Sequence, residues 1–181
     1  METPSGNTCF HFLMISPIIS LKQCLADALQ AYNEIERTRL VNSRNREGET
    51  PLSLAIENGE TMGSIQLLID LGSDVNATDD RGRTALHAAT KREDVGIVKL
   101  LIAAGADVNA QDAIDRESPL HLAVSLQNVE ITVALFQAGA NPFARDRQGQ
   151  TPLALAQNSR NAELRRLAAN VPAWECGNDC E

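Results

Sequence analysis

The feature that most constrains the fold is a short sequence pattern that recurs at an almost constant spacing. The pattern is a threonine or serine, then proline or alanine, then leucine, and its copies begin at Thr50, Thr84, Ser118 and Thr151. Successive copies are therefore 34, 34 and 33 residues apart. All three histidines lie three residues after a threonine or serine, at His11, His87 and His121. A fixed period of this length predicts a stacked array of repeats, so any function is expected on an extended surface.

Composition narrows the partners that such a surface could have. Of the 181 residues, 43% are hydrophobic but only 3% are aromatic, so leucine, isoleucine, valine and alanine must fill the core. With 16 basic and 24 acidic residues, the net charge of −8 disfavours nonspecific binding to nucleic acid phosphates. We therefore expect no direct nucleic-acid partner.

The cysteines and the apolar stretches predict the cellular compartment of the protein. The chain has four cysteines, at Cys9, Cys24, Cys176 and Cys180. They form no disulfide framework in a chain of this size, which indicates reduced thiols inside a cell. The last two form a pair without a matching second pair, so no zinc site is expected. The apolar stretch at residues 10–19 lacks a basic leader and contains Pro17, so it is interpreted as a repeat helix. No run reaches the roughly 18 apolar residues of a membrane span. We expect a soluble monomer in the cytoplasm, and also in the nucleus.

One copy of the pattern, at residues 79–111, shows what a repeat should contain. Residues 79–82 predict a turn in which Gly82 has a positive φ angle, and Thr84 can cap the short helix that follows. Apolar residues at 95–102 predict a second helix, which Gly105 should end as a left-handed cap. Insertions of one residue disturb the register around residues 60–63 and in the turn at residues 112–116, which lacks the usual glycine.

The pattern divides the chain into five repeats and a flexible tail. We expect a first capping repeat with a long second helix, three full repeats, a C-terminal capping repeat and the tail, at residues 1–44, 45–78, 79–111, 112–145, 146–170 and 171–181. The long helix of the first repeat is predicted over residues 21–36. Leu40-Val41-Asn42 should then form the usual exit from a repeat.

These residues resemble the ankyrin repeat. Its turn, first helix, second helix and exit appear here as Gly82-Arg83-Thr84-Ala85-Leu86-His87, the helix over residues 95–102, and Gly105-Ala106-Asp107-Val108-Asn109. The resemblance covers nearly the whole chain. It implies an all-α ankyrin solenoid of about five helix-turn-helix repeats with β-hairpin-like turns.

Within the ankyrin repeats, some segments resemble the IκB family of NF-κB inhibitors. They are residues 108–111, 118–124, 138–142 and 151–153, together with the first repeat and its long second helix. The resemblance implies a non-enzymatic protein that binds a Rel/NF-κB dimer and sequesters it. Few residues precede the first repeat and no long acidic tail follows the last, so the expected protein is a short inhibitor without the regulatory termini. The alternative is a general ankyrin adaptor or a host-directed effector with another protein client.

The histidines invite a catalytic or metal-binding interpretation, which their spacing argues against. They share one slot at helix starts, and neighbouring helices stack about 10 Å apart, too far for His87 and His121 to share an ion. An imidazole that bonds to the backbone of the neighbouring loop is the favoured interpretation. The chain has no phosphate-binding glycine loop and no nucleophile motif, so we expect no enzyme, metal or cofactor.

The resemblance places the partner-binding residues at the turn tips and at the exposed ends of the first helices. The predicted residues are Arg46, Glu47, Glu49, Glu57, Asn58, Asp80, Arg81, Arg83, Lys91, Arg92, Ile114, Glu117, Ser125, Leu126, Arg147, Gln148 and Gln150. Apolar Ile114 and Leu126 are the expected anchors, and the recurring arginines suit carboxylates on a partner. Reversing the charges of Arg81 and Arg83 should then leave melting nearly unchanged. The alternative is that many of these residues are merely solvated turns.

Overall fold

The computed structural model describes residues 34–170. The predictions for His11, for the start of the first repeat, for all four cysteines and for the tail at 171–181 lie outside the described residues. Within them the chain forms helices and no strands. The helices are α1 Glu34–Val41, α2 Pro51–Glu57, α3 Met62–Asp70, α4 Ala85–Lys91, α5 Val95–Ala103, α6 Pro119–Ser125, α7 Val129–Gln137, α8 Pro152–Gln157 and α9 Ala162–Ala169.

After α1 the helices form two layers. The short helices α2, α4, α6 and α8 pack side by side as an inner layer, and α3, α5 and α7 pack in an outer layer. Each inner helix also packs against the outer helix that follows it in the chain. This arrangement confirms the predicted all-α solenoid.

The inner helices begin where the recurring pattern begins. Their N-caps are Thr50, Thr84, Ser118 and Thr151. Proline follows the cap in α2, α6 and α8, where its missing N–H costs no helical hydrogen bond. Helices of six or seven residues are too short to be stable alone in water, so packing between repeats must stabilise them.

The core is aliphatic, as the composition predicts. Alanine occupies the slot five residues after each inner N-cap, and Ala55, Ala89 and Ala123 are completely buried. A side chain this small lets neighbouring inner helices approach closely. Larger residues fill the space between the two layers: Leu52, Ile56, Leu68, Leu86, Leu101, Ile131, Leu135 and Leu164.

The turns between repeats are hairpin-like. In the third repeat the N–H of Asp79 donates to Arg83 O at 2.9 Å, and an isolated bridge pairs Thr78 with Thr84. Gly82 and Gly105 have φ angles of +76° and +86°, which confirms both predicted glycine roles.

The enlarged turn of the fourth repeat, at residues 112–116, has no glycine and uses another residue in the left-handed conformation. Arg116 takes the left-handed conformation, with a φ angle of +56°. The Asp112 carboxylate accepts the backbone N–H groups of Ile114, Asp115 and Arg116 at 3.0, 2.7 and 3.0 Å. These hydrogen bonds offset the strain of a non-glycine residue in that region.

Asparagines at the exits join successive repeats. The side chains of Asn42, Asn76 and Asn109 each donate to a glycine carbonyl of the next repeat, and each accepts a backbone N–H there at 2.7 Å. The predicted register of Asn42 is therefore confirmed. The predicted end of the long helix at residue 36 is wrong, because α1 continues to Val41 and the Asn42 N–H still donates to Thr38 O at 3.1 Å.

Candidate protein-binding surface

A groove of about 360 Å³ runs between the turns and the inner helices α2, α4 and α6. We call it the inner groove. It brings together seven of the predicted partner-binding residues, which are Glu49, Glu57, Arg83, Lys91, Glu117, Ser125 and Leu126. The other predicted residues are all exposed and lie outside its lining. Leu122, which also lines it, was missed although it lies one helical turn before Leu126.

The turn tips form one continuous edge beside the inner groove. The backbone N–H of Asp80 donates to Glu47 O at 3.0 Å, and that of Arg147 donates to Asp115 O at 2.7 Å. Between these two joins, the N–H of Ala113 donates to Arg81 O at 2.8 Å. The tips are thus held in a row, although they come from four different repeats.

Glu49 is a correction to the predicted site. It is only 8% exposed, and its carboxylate accepts from the Asn45 side chain at 2.8 Å. The Glu49 N–H in turn donates to the Asn45 side-chain oxygen at 2.9 Å. These hydrogen bonds draw Glu49 under the turn, so it borders the groove without being an exposed tip.

Several arginines are also engaged within the protein. The guanidinium of Arg83 lies 2.7 Å from Asp79 and 3.6 Å from Glu57. Arg92 donates to Glu57 O at 2.7 Å, and Arg147 donates to Ile114 O at 2.8 Å. Because the charge of Arg83 joins two repeats, the structure leads us to expect that its reversal lowers stability, in contrast to the prediction from the sequence for Arg81 and Arg83.

The inner groove has an acidic balance. Burial, and then the nearby charge of Glu49, raise the pKa of the Glu57 carboxyl. Burial and the charge of Asp112 likewise raise the pKa of Glu117. Although burial lowers it, the hydrogen bond and charge of Asp79 raise the pKa of Arg83, which stays protonated. Five carboxylates and two basic side chains line the groove, so it favours cationic groups on a partner over anionic ones.

Both described histidines hold the repeats together. Nδ1 of His87 accepts the Thr84 N–H at 3.1 Å, which leaves the proton on Nε2 to donate to Glu117 O of the next repeat at 3.2 Å. His121 repeats this arrangement with Ser118 and with Gln150 O, at 3.1 and 3.3 Å. Burial lowers the pKa of both imidazoles, so they are neutral at pH 7. The interpretation of these side chains as structural is thus supported by direct contacts.

Two apolar side chains are exposed at predicted contact positions. Ile114 is 47% exposed at a turn tip, and Leu126 is 40% exposed at the end of α6. No group of histidine, cysteine, aspartate and glutamate within residues 34–170 could hold a metal ion. Ile114 and Leu126 offer apolar contact to a partner.

Comparison with known proteins agrees with this architecture. The family model "Ankyrin repeats (3 copies)" matches residues 18–112, and "Ankyrin repeat" matches residues 115–147. This chain belongs to the ankyrin repeat family. Ankyrin repeats mediate protein–protein interaction, and proteins built from them are generally non-enzymatic scaffolds. No helix in the described part of the chain has the length and apolarity to span a membrane.

The relatives of this ankyrin repeat protein are diverse. Rabankyrin-5 of Mus musculus is 35% identical over 67% of this chain and 11% of its own length. The nuclear factor NF-kappa-B p105 subunit of Gallus gallus is 34% identical over 91% of this chain and 17% of its own length. Human ankyrin repeat and SOCS box protein 6 is 49% identical over 30% of this chain and 13% of its own length. The chain thus spans less than a fifth of each of these proteins.

Proposed function

We propose that this ankyrin repeat protein is IκB-like, and that it binds and sequesters a Rel/NF-κB-type transcription factor. The observation that supports this most is the similarity to the p105 subunit, which extends over 91% of the chain. The resemblance of residues 108–111, 118–124 and 138–142 to IκB repeats adds to it.

The geometry supports a steric mechanism. The row of turn tips and the inner groove form one surface, on which Ile114 and Leu126 provide apolar anchors. The acidic balance of the inner groove suits a DNA-binding partner, since such proteins carry basic surfaces. A protein that covers those basic surfaces blocks both DNA binding and nuclear import without any chemical step.

The test is a titration of the purified protein against a Rel homology dimer bound to labelled DNA. Dose-dependent release of DNA at submicromolar protein, with one inhibitor per dimer, supports the proposal. No release at protein concentrations on the order of tens of micromolar overturns it.

Variants then locate the binding surface. Ile114→Asp and Leu126→Asp should each weaken inhibition at least about tenfold, equivalent to about 1.4 kcal/mol. Lys99→Ala is the control, because Lys99 lies on the outer helix α5 and pairs with Glu130 at 2.9 Å. Equal inhibition by all three variants would remove the two apolar anchors from the surface.

A second candidate is a general ankyrin adaptor or a host-directed effector with another client. It is favoured by the variety of the relatives, which include rabankyrin-5 and the SOCS box protein. A client that binds through Ile114 and Leu126, combined with no binding to a Rel dimer, distinguishes this candidate from the first.

For either candidate we propose a monomer that works in the cytoplasm and also enters the nucleus. Size-exclusion chromatography with light scattering tests the first statement. Imaging of a fluorescently tagged chain tests the second, and exclusion from both compartments would contradict it.

A further inference from the structure

The outer layer opens between α7 and α9. A cavity of about 210 Å³ lies there, and its lining is mainly apolar. Residues of α6, α7, α8 and α9 contribute to it, among them Val124, Val133, Phe136, Leu153 and Leu167. Elsewhere in the outer layer, α5 packs directly against α3 and α7.

A sequence difference coincides with this opening. The N-caps of α3, α5 and α7 are each followed seven residues later by a buried leucine, at Leu68, Leu101 and Leu135. The N-cap of α9 is Asn161, so the corresponding residue is Ala168, and it lines the cavity. The missing leucine side chain leaves apolar walls without the contacts that they have in the other repeats.

The chain itself offers an occupant. Asn170, the last described residue, lines the cavity, and the next residues are Val171, Pro172, Ala173 and Trp174. Trp174 is the single tryptophan of the protein, and four extended residues reach at most about 14 Å from Asn170. An apolar cavity of roughly 150 Å³ accepts a benzene ring. The larger cavity here has room for an indole, and nothing charged lies between Asn170 and Trp174.

We propose that the segment Val171–Trp174 folds back and places the Trp174 indole in the cavity between α7 and α9. Trp174 then takes the place of the leucine that the fifth repeat lacks. Buried tryptophan N–H groups need a hydrogen-bond acceptor, and the Gln137 side chain at the cavity provides one. The segment after α9 thereby becomes part of the capping repeat instead of a flexible tail.

Fluorescence of the intact protein tests this directly, because its only tryptophan reports on the proposed site. The emission of the native protein should be blue-shifted from that of the urea-unfolded chain and protected from acrylamide quenching. Ala168→Leu restores the leucine of the other repeats, takes up part of the cavity that the indole would occupy, and should shift the emission to the red. Ala169→Leu is the matched control, since Ala169 is exposed and outside the cavity lining, and it should leave the emission unchanged.

A second variant covers the case in which Ala168→Leu is poorly folded. Trp174→Ala should lower the melting temperature and increase the fluorescence of the dye 1-anilinonaphthalene-8-sulfonate, which binds exposed apolar surface. Native emission equal to that of the unfolded chain overturns the proposal. So does emission that Ala168→Leu does not change, or a blue shift that disappears on dilution, which would place Trp174 on a second molecule.

Discussion

Two neighbouring joins of the array, between the third and fourth repeats and between the fourth and fifth, are built differently on their outer sides. On the inner side both joins have a histidine bonded to a turn carbonyl and a backbone hydrogen bond between turn tips. On the outer side the join between the third and fourth repeats has Asn109 of the third repeat and Leu135 of the fourth. At the corresponding positions the next join has Phe143 and Ala168, and α7 and α9 stand apart around a cavity.

The two sides of a repeat are therefore under separate constraints. The inner side, which includes the groove and the turn tips, keeps its contacts through to the fifth repeat. The outer side loses a hydrogen-bonding asparagine and a packed leucine at a single join. A binding surface on the inner side therefore keeps its geometry even where the outer layer opens.

The largest expected effect comes from opening the outer side in the middle of the array. Leu101→Ala removes a completely buried side chain from α5 and leaves a gap like the one beside Ala168. We expect a loss of about 2–5 kcal/mol in the free energy of unfolding, measured by urea denaturation. Ile102→Ala on the same helix is half-buried and should cost less. Equal losses would show that the gap itself has no special cost.

The next largest effect is expected where a turn tip packs against the tip of the next repeat, in contrast to a tip with no such neighbour. At Gly82 an added Cβ would lie 2.7 Å from the Ala113 nitrogen, whereas at Gly149 it would meet nothing within 4 Å. Both glycines have a φ angle of +76°. Gly149→Ala should therefore cost only the conformational strain, about 1–2 kcal/mol. Gly82→Ala should cost about 2–4 kcal/mol, because it also separates the tips. Urea midpoints that coincide would contradict the close approach.

Much of the scaffold could be predicted from the sequence. The period, the caps at Thr50, Thr84 and Ser118, and the glycine turns follow from local chemistry, because each residue type has a physical reason to be there. The structural role of the histidines also follows, since the repeat spacing excludes a shared ligand. Sequence reasoning thus predicts the scaffold and the row of turn tips.

Other features depend on contacts between repeats and could not be predicted in this way. Glu49 is hidden because Asn45 binds it, and Arg83 is engaged because the preceding repeat supplies Glu57. The opening at Ala168 requires knowledge of which residues face each other across the outer layer. A pattern of turn residues alone does not tell an arginine that joins repeats from one that faces a partner.

Removing the histidine contact between the fourth and fifth repeats should lower stability less than opening the core does. His121→Ala leaves the buried Ser118 N–H and the Gln150 carbonyl without their partner. We expect a loss of about 1–3 kcal/mol and faster hydrogen exchange in α8 and α9. His87→Ala should cost a similar amount without a selective effect on the fifth repeat. If hydrogen exchange rises equally along the whole array in both variants, the outer side of the join between the fourth and fifth repeats is not weaker than that of the other joins.

The same histidines predict a modest pH dependence. Because burial lowers their pKa from 6.5, the unfolded chain binds protons that the folded chain does not, and stability falls as pH drops below about 6.5. Glu57 and Glu117 have raised pKa values and act in the opposite direction nearer the ordinary glutamate pKa of 4.5. The stability difference between the native protein and a His87→Ala/His121→Ala variant should therefore shrink between about pH 7.5 and pH 5.5. A constant difference would contradict neutral, buried imidazoles.

The smallest expected change in stability concerns two arginines of one turn. Arg81 is exposed at a tip, whereas Arg83 holds Asp79 and Glu57. Arg81→Glu should change the free energy of unfolding by less than about 0.5 kcal/mol, while Arg83→Glu should cost about 1–2 kcal/mol. Arg81→Glu therefore tests the contribution of the tips to binding without a large cost in stability, whereas Arg83→Glu changes both the stability and the inner groove that Arg83 lines. If Arg81→Glu leaves the affinity for the Rel dimer unchanged, the tips order the array and the partner lies in the inner groove alone.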